Sequence, residues 1–164
     1  MKKITLKGIA LGLVFSLLIS CKPKEEGATA VDKVQIKNEI QAMENKMAEM
    51  YNDRTIENEE YYAKDATSFG ANTPAMVGRF AIKKSINEDL ATYPKGHKIT
   101  FITIDVFPSV DGHQVVEVGN YKVRDSMDVI RASGNFLSLF EKRDGKYTCV
   151  RDMAASDLPR EDNK

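Results

Sequence analysis

The 164-residue chain has no tryptophan, two cysteines and two histidines, and its 24 basic residues are matched by 24 acidic ones. Each scarcity excludes something. Two cysteines cannot build a disulfide-dense scaffold. A formal charge of zero gives none of the basic surface that holds a phosphate backbone, so no nucleic-acid partner is expected. His97 and His113 lie far apart, with no His-x-His or His-x-x-x-His, so no zinc-type cluster forms from them. Asp125 and Asp128 lack the loop length and the glycine of a calcium-binding loop. A phosphate-binding glycine loop, a nucleophilic serine elbow and a Cys-x-x-Cys are all missing. Neither metal nor cofactor is therefore expected. The longest uncharged apolar run, Gly8 to Ile19, falls short of the roughly 20 residues a membrane-spanning helix needs.

What that short run does have is an address. Lys2, Lys3 and Lys7 precede it, and Leu18-Ile19-Ser20-Cys21 closes it. A basic start, a short apolar core and a small residue before the cut describe a secretory signal over residues 1–20. Leu-Ile-Ser-Cys resembles the bacterial lipobox, which implies that Cys21 becomes the lipidated first residue of the mature chain. Several acyl chains on one residue anchor stably where one is marginal. The following Lys22-Pro23-Lys24-Glu25-Glu26 is similar to the surface-export tag of Bacteroidetes lipoproteins. The expectation is an outer-membrane lipoprotein facing the periplasm or the cell surface. Without the signal the chain is slightly acidic, with 21 basic against 24 acidic residues. Cys149 is then the one unlipidated thiol, read as a small buried apolar residue.

Residues 21–31 read as a polar tether, residues 32–159 as one domain and residues 160–164 as a tail. Asp32 suits a helix N-cap, with Gln35 at the spacing of a capping box. Ile36, Ile40, Met43, Met47 and Met50 then recur at spacings of four and three, one apolar face of a helix that Asn52-Asp53-Arg54 stops, with Lys, Glu and Gln on the other face. A second, short helix is predicted from Thr55 through Tyr62. Its Glu57, Glu59 and Glu60 read as a solvated face. A strand follows from Asp65, then a turn at Asn72-Thr73-Pro74 and a third helix from Arg79 to Leu90. The remainder is β: Lys98–Phe107, Gln114–Arg124, Val129–Glu141 and Lys146–Ala154, with Asp111-Gly112 and Asp144-Gly145 at the hairpin turns. Helices followed by a meander of strands give an α+β fold.

The strands are apolar on both faces. In the first long one, Ile99 and Phe101 point one way while Ile102, Ile104 and Val106 point the other. A sheet covered on one face only should alternate cleanly. The second face is therefore expected to be covered by another copy, as a homodimer through the sheet.

This plan resembles the NTF2-like superfamily, and within it the SnoaL-like and DUF4440 type. The residues that carry the resemblance are Tyr51-Asn52, Tyr62-Ala63-Lys64-Asp65-Ala66-Thr67, Val77-Gly78-Arg79, Val118-Gly119-Asn120-Tyr121, the hairpin Phe140 to Tyr147, and Arg151-Asp152-Met153-Ala154-Ala155-Ser156-Asp157. The family's tryptophans are missing. The resemblance implies a strongly bent antiparallel sheet wrapped around three helices into a cone, whose open end is commonly a pocket for a small, partly apolar molecule. It also implies dimers through the sheet. In the ketosteroid-isomerase-like members two acids and a tyrosine do the chemistry. Those positions fall near Gly70, Phe136 and Met47 here, so that chemistry does not carry over.

The pocket candidates are Met47 on the first helix, Tyr51 at its end, Phe69 on the first strand, Tyr121 and Ser138 inside strands, and Asp152 on the last strand, where the resembled family often keeps an aspartate. A carboxyl buried in an apolar cone has a raised pKa, and beside a tyrosine it suits ligand orientation or acid–base work. Asp152 serves equally well as a structural acceptor of backbone amides. Three functional readings follow: a lipid-anchored domain that binds a small ligand without catalysis; a SnoaL-like enzyme using Asp152 with Tyr51 or Tyr121; and a dimeric interaction module whose cone is filled by Met43, Met47 and Phe69.

Overall fold

A computed structural model of the protein describes residues 31–56 and 60–158. The signal segment, Cys21, the tether up to residue 30, Glu57, Glu59 and the tail at 160–164 lie outside the described residues. Within them run α1 (Lys33–Asp53), β1 (Tyr62–Phe69), β2 (Met76–Val77), α2 (Arg79–Thr92), β3 (Lys98–Pro108), β4 (Gln114–Arg124), β5 (Ile130–Arg143) and β6 (Lys146–Ser156). The six strands form one mixed sheet in the order β2-β1-β6-β5-β4-β3. All neighbours are antiparallel except β1 and β6.

Asp32 caps α1 as its sequence position predicts, its carboxylate accepting from the backbone N–H groups of Val34 and Gln35 at 3.0 Å. Arg54 ends the helix in the left-handed conformation. Of the expected second helix from Thr55 to Tyr62, residues 57–59 lie outside the described residues and Tyr62 already belongs to β1, so the described residues contain two α-helices rather than three. Thr55 is a plausible cap, but Ile56, Tyr61 and Tyr62 are all buried, and one helical face could not bury that clustering. A strand in contact with β6 on one side and the core on the other does.

The sheet is bent by breaks in register, between Thr103 and Asp105 on β3, between Leu139 and Phe140 on β5, and between Tyr62 and Thr67 on β1. A bulge adds local twist and turns later side chains to the opposite face. This corrects one expected facing. Ile102 and Ile104 lie on the outer face, about half exposed, whereas Val106, beyond the bulge, is fully buried inside.

β3 is an edge strand, a row of backbone groups that needs cover. Amide side chains of α1 supply it. Gln41 donates to Phe101 O at 3.1 Å and accepts from Thr103 N at 2.8 Å. Asn52 donates to Ile99 O at 3.0 Å and accepts from Ile99 N at 2.8 Å. Lys37 reaches Ile104 O at 2.6 Å. The helix is thereby laid along the edge of the sheet, with Ile36, Ile40 and Met47 against Ile82, Ile86, Leu90, Val115, Phe140 and Cys149 in one core. Cys149 is buried, as expected of a small apolar residue. The bent sheet, closed on one side by α1 and on the other by α2, encloses the interior of a cone.

Candidate functional site

Inside the cone is a chamber of about 210 Å³. Its wall brings together all six sequence-predicted candidates: Met47, Tyr51, Phe69, Tyr121, Ser138 and Asp152. They do not contribute alike. Met47 and Ser138 are buried, while Phe69 is half exposed at the rim and in register with Met153 rather than with Asp152. Met43 lies outside this wall, in a wider cleft of about 800 Å³ bordered by Lys46, Lys64, Arg79 and the β5–β6 hairpin. Of Met43, Met47 and Phe69, expected to fill the cone in the third reading, Met47 and Phe69 border the chamber and Met43 does not. Gly70, Phe136 and Met47, which match the ketosteroid-isomerase positions, do line the chamber, but none of them titrates.

The floor of the chamber is a polar row that crosses four strands. Glu117 on β4 faces Ser138 on β5, Ser138 faces Asp152 on β6, and Asp152 faces Ser68 on β1. Asp152 accepts the phenol hydroxyl of Tyr62 at 2.7 Å. Tyr62, not Tyr51 or Tyr121, is thus the tyrosine bonded to it. The other carboxylate oxygen of Asp152 is buried and has no hydrogen-bond partner. Burial raises the Asp152 pKa, and the hydroxyls of Ser68 and Tyr62 offset part of the rise.

Behind Asp152 lies a second acidic pair that the helical pattern did not reveal. Glu44, expected on the solvated face of α1, is only 2% exposed, and Glu117 is fully buried. Tyr61 donates to Glu44 Oε1 at 2.5 Å and Thr103 donates to Glu117 Oε1 at 2.6 Å. Burial and the neighbouring charge of Glu117 raise the Glu44 pKa well above the usual carboxylate range. Burial also pushes Glu117 up to about 7, against the hydrogen bonds from Thr103 and Glu44. Both shifts favour the protonated carboxyl, so the pair holds on to a proton at higher pH than exposed glutamates do. Two carboxylates cannot both ionise at such close range in a medium of low dielectric constant. The signal for Glu44 was present in the sequence: it stands four residues after Ile40 and three before Met47. Glu117 shares the parity of the buried Val115 on β4.

Aromatic rings form the remaining wall. Tyr51 meets Phe101 edge-on at 5.9 Å, and Phe101 meets Phe136 at 5.8 Å. Phe136 lies over Gly119 and Tyr121 over Gly134, each glycine being the ring's partner in register. A glycine opposite an aromatic lets the ring lie against the backbone, which keeps the space above it open.

A bent sheet packed against two helices in this way has counterparts among solved structures. A protein with a cystatin-like fold from Nostoc punctiforme PCC 73102 superposes with a TM-score of 0.66 at 15% identity, over 79% of this chain and 82% of that one. An NTF2-like protein from Pseudomonas putida KT2440 gives 0.63 at 13% identity, over 80% and 93%. A ketosteroid isomerase-like protein from Erwinia carotovora atroseptica gives 0.53 at 17% identity, over 76% and 96%. The fold is NTF2-like. No protein-family profile and no curated protein matches the sequence. These likenesses, all under a fifth identical, fix the NTF2-like architecture and leave the chemistry to the site. Among the described residues no group of three or more acidic, histidine or cysteine side chains is arranged to hold a metal ion.

Proposed function

We propose that this chain is a lipid-anchored NTF2-like domain that binds a small, partly apolar ligand in its cone. The observation that carries the reading is the chamber itself, a space walled by rings and floored by buried polar groups, one of them an unpaired carboxylate oxygen. Protein interiors are close-packed, and an apolar core has no use for a void bordered by unsatisfied acceptors. The anchor is Cys21, and the location is the outer membrane, facing the periplasm or the cell surface. No catalysis is needed for this role. The feature favouring an acid–base enzyme instead is the Tyr62–Asp152 hydrogen bond beside the chamber. Asp152→Asn keeps that shape and removes the proton acceptor, so it abolishes turnover only under the enzyme reading.

The partner in this proposal is a second copy, docked through the outer face of the sheet. Val118, Leu137 and Met153 form a row across three strands there, and Leu137 and Met153 are each more than two fifths exposed. Apolar area of this kind is stabilised by removal from water at about 25 cal/mol per Å². Leu137→Glu places a charge in the middle of the row and should convert a dimer into a monomer with its folded spectrum intact, as read by sedimentation velocity. A wild-type monomer at micromolar concentration would remove the dimer from the proposal.

Native mass spectrometry on the chain from position 21 onward, with Cys21→Ser, tests the ligand. The expected spectrum shows protein carrying an additional small mass that gentle activation releases. Protein free of added mass, and unmoved in melting temperature by a library of small aromatic molecules, would argue for a purely structural cone.

A further inference from the structure

The chamber's charge is one-sided. Glu44, Asp89 and Asp152 all border it, and among the described residues no lysine, arginine or histidine does. Glu117 adds a fourth acid directly behind Glu44. Their positions are graded: Asp89 is exposed at the mouth on α2, Asp152 stands at the polar floor, and the Glu44–Glu117 pair is buried beyond it. Buried carboxyls are ordinarily matched by a basic partner or by several donors. Here Asp152 keeps one buried oxygen without any donor, and Glu117 Oε2 is likewise buried without a hydrogen-bond partner. An anionic ligand would meet uncompensated repulsion in such a space. A neutral ligand without a donor would leave the Asp152 oxygen orphaned, and one with a hydroxyl would supply only a weaker, uncharged donor.

From this arrangement, and resting on the ligand-binding reading above, we infer that the chamber takes a small organic monocation: a protonated amine, its N–H groups directed at Asp152, carried on an aromatic or compact apolar body. The ammonium supplies the missing donor to the unpaired oxygen, and a charge-assisted hydrogen bond of this kind is about twice as strong as a neutral one. The rings of Tyr51, Tyr62, Phe101 and Phe136 present the electron-rich surfaces that attract a cation and pack against an apolar body. The volume, below the roughly 300 Å³ at which drug-sized pockets begin, limits the ligand to a small one. Asp89 at the entrance draws cations toward the mouth and turns anions away.

The test uses three probes of one shape and three charges: phenethylamine, phenethyl alcohol and phenylacetate. Each is titrated calorimetrically at pH 7 and low salt into the chain from position 21 with Cys21→Ser. The expected order is amine, then alcohol, then acid, with the amine at least about tenfold tighter than the alcohol, the factor that one charge-assisted hydrogen bond supplies. Asp152→Asn should bring the amine to within about threefold of the alcohol. Asp89→Asn, at an exposed position that does not threaten folding, should weaken the amine a few-fold and leave the alcohol unchanged. Alcohol binding as tightly as amine, or acid binding tightest, overturns the cation and leaves the pocket standing. Failure of all three probes to bind at millimolar concentration overturns the pocket and the cation together.

Discussion

Glu44→Gln is expected to flatten the pH dependence of stability and to make the domain more stable than wild type above neutral pH. The reasoning starts from the sign of the shifts. Both Glu44 and Glu117 have pKa values raised by burial, so over the range between their unfolded and folded values the native state binds more protons than the unfolded chain. Stability is then fully present below about pH 4.5 and is lost as the pH climbs through the folded values. For Glu117, raised to about 7, the loss is on the order of 3 kcal/mol by pH 7, and Glu44, also raised well above the usual carboxylate range, adds to it. A glutamine at position 44 reproduces both contacts without a titrating proton. Its carbonyl accepts the Tyr61 hydroxyl and its amide N–H donates to Glu117. Urea denaturation at intervals from pH 5 to 9 should show curves that nearly coincide at pH 5 and diverge progressively as the pH rises from there, through the midpoint and not the m-value. Glu44→Ala, by contrast, should lose about 2–5 kcal/mol at every pH, since it leaves a cavity and strands Tyr61 and Glu117 without their partner. Parallel profiles for wild type and Glu44→Gln would show that the pair does not share a proton.

The same two glutamates mark where the sequence was readable and where it was not. Period and turn chemistry located α1, α2 and β3 to β6 to within a few residues, because each element has an uninterrupted apolar pattern and a capping or turn residue at its end. Asp32 at one helix and Asp144-Gly145 at one hairpin are local features, and local features survive folding. The bulge on β3 is not local in that sense. Nothing in Thr103-Ile104-Asp105 announces an extra residue, and Val106 moved from the outer face to the core as a result. The second helix was carried too far, through Tyr62, for a related reason: a reading of residues 55–62 by capping and charge could not know that β6 would offer Tyr62 a strand partner.

The site divides along the same line. Met47, Tyr51, Phe69, Tyr121, Ser138 and Asp152 meet at one chamber, as the resemblance to NTF2-like proteins led one to expect, because residues on known faces of correctly placed elements converge when the sheet bends. The tyrosine hydrogen-bonded to Asp152 is Tyr62. Choosing Tyr62 over Tyr51 or Tyr121 requires knowing that β1 runs parallel beside β6, which no periodicity encodes. Glu44 and Glu117 were passed over because charged residues are so seldom fully buried that the pattern is read around them. Their positions obeyed the core periodicity all along. A charge at a core position is better read as a candidate site than as noise in the stripe.

Gly134→Ala is the second change expected to have a large effect, and its contrast with Gly119→Ala separates the scaffold from the chamber. Neither glycine has a positive φ, so what matters at both is space and not backbone freedom. A Cβ on Gly134 would stand 2.2 Å from the carbonyl oxygen of Ala155 and 2.5 Å from the Tyr121 ring. The first neighbour is backbone in a paired strand and cannot step aside without opening the β5–β6 ladder. A Cβ on Gly119 would stand 2.1 Å from the Phe136 ring and meets no backbone atom among its nearest neighbours. That ring can swing, and the open side available to it is the chamber. Gly134→Ala should therefore cost about 3 kcal/mol or more, at or beyond the upper end of overpacking effects, while Gly119→Ala should cost about 1–2 kcal/mol. Binding should report the opposite weighting. Gly119→Ala, folded but with Phe136 displaced into the cone, loses at least about tenfold in affinity for a chamber probe such as phenethylamine, since the ring then occupies the volume the probe needs. Urea midpoints rank the two variants on stability and calorimetric titration ranks the folded one on binding. If Gly119→Ala bound the probe as wild type does, the ring over Gly119 would not be what holds the chamber open.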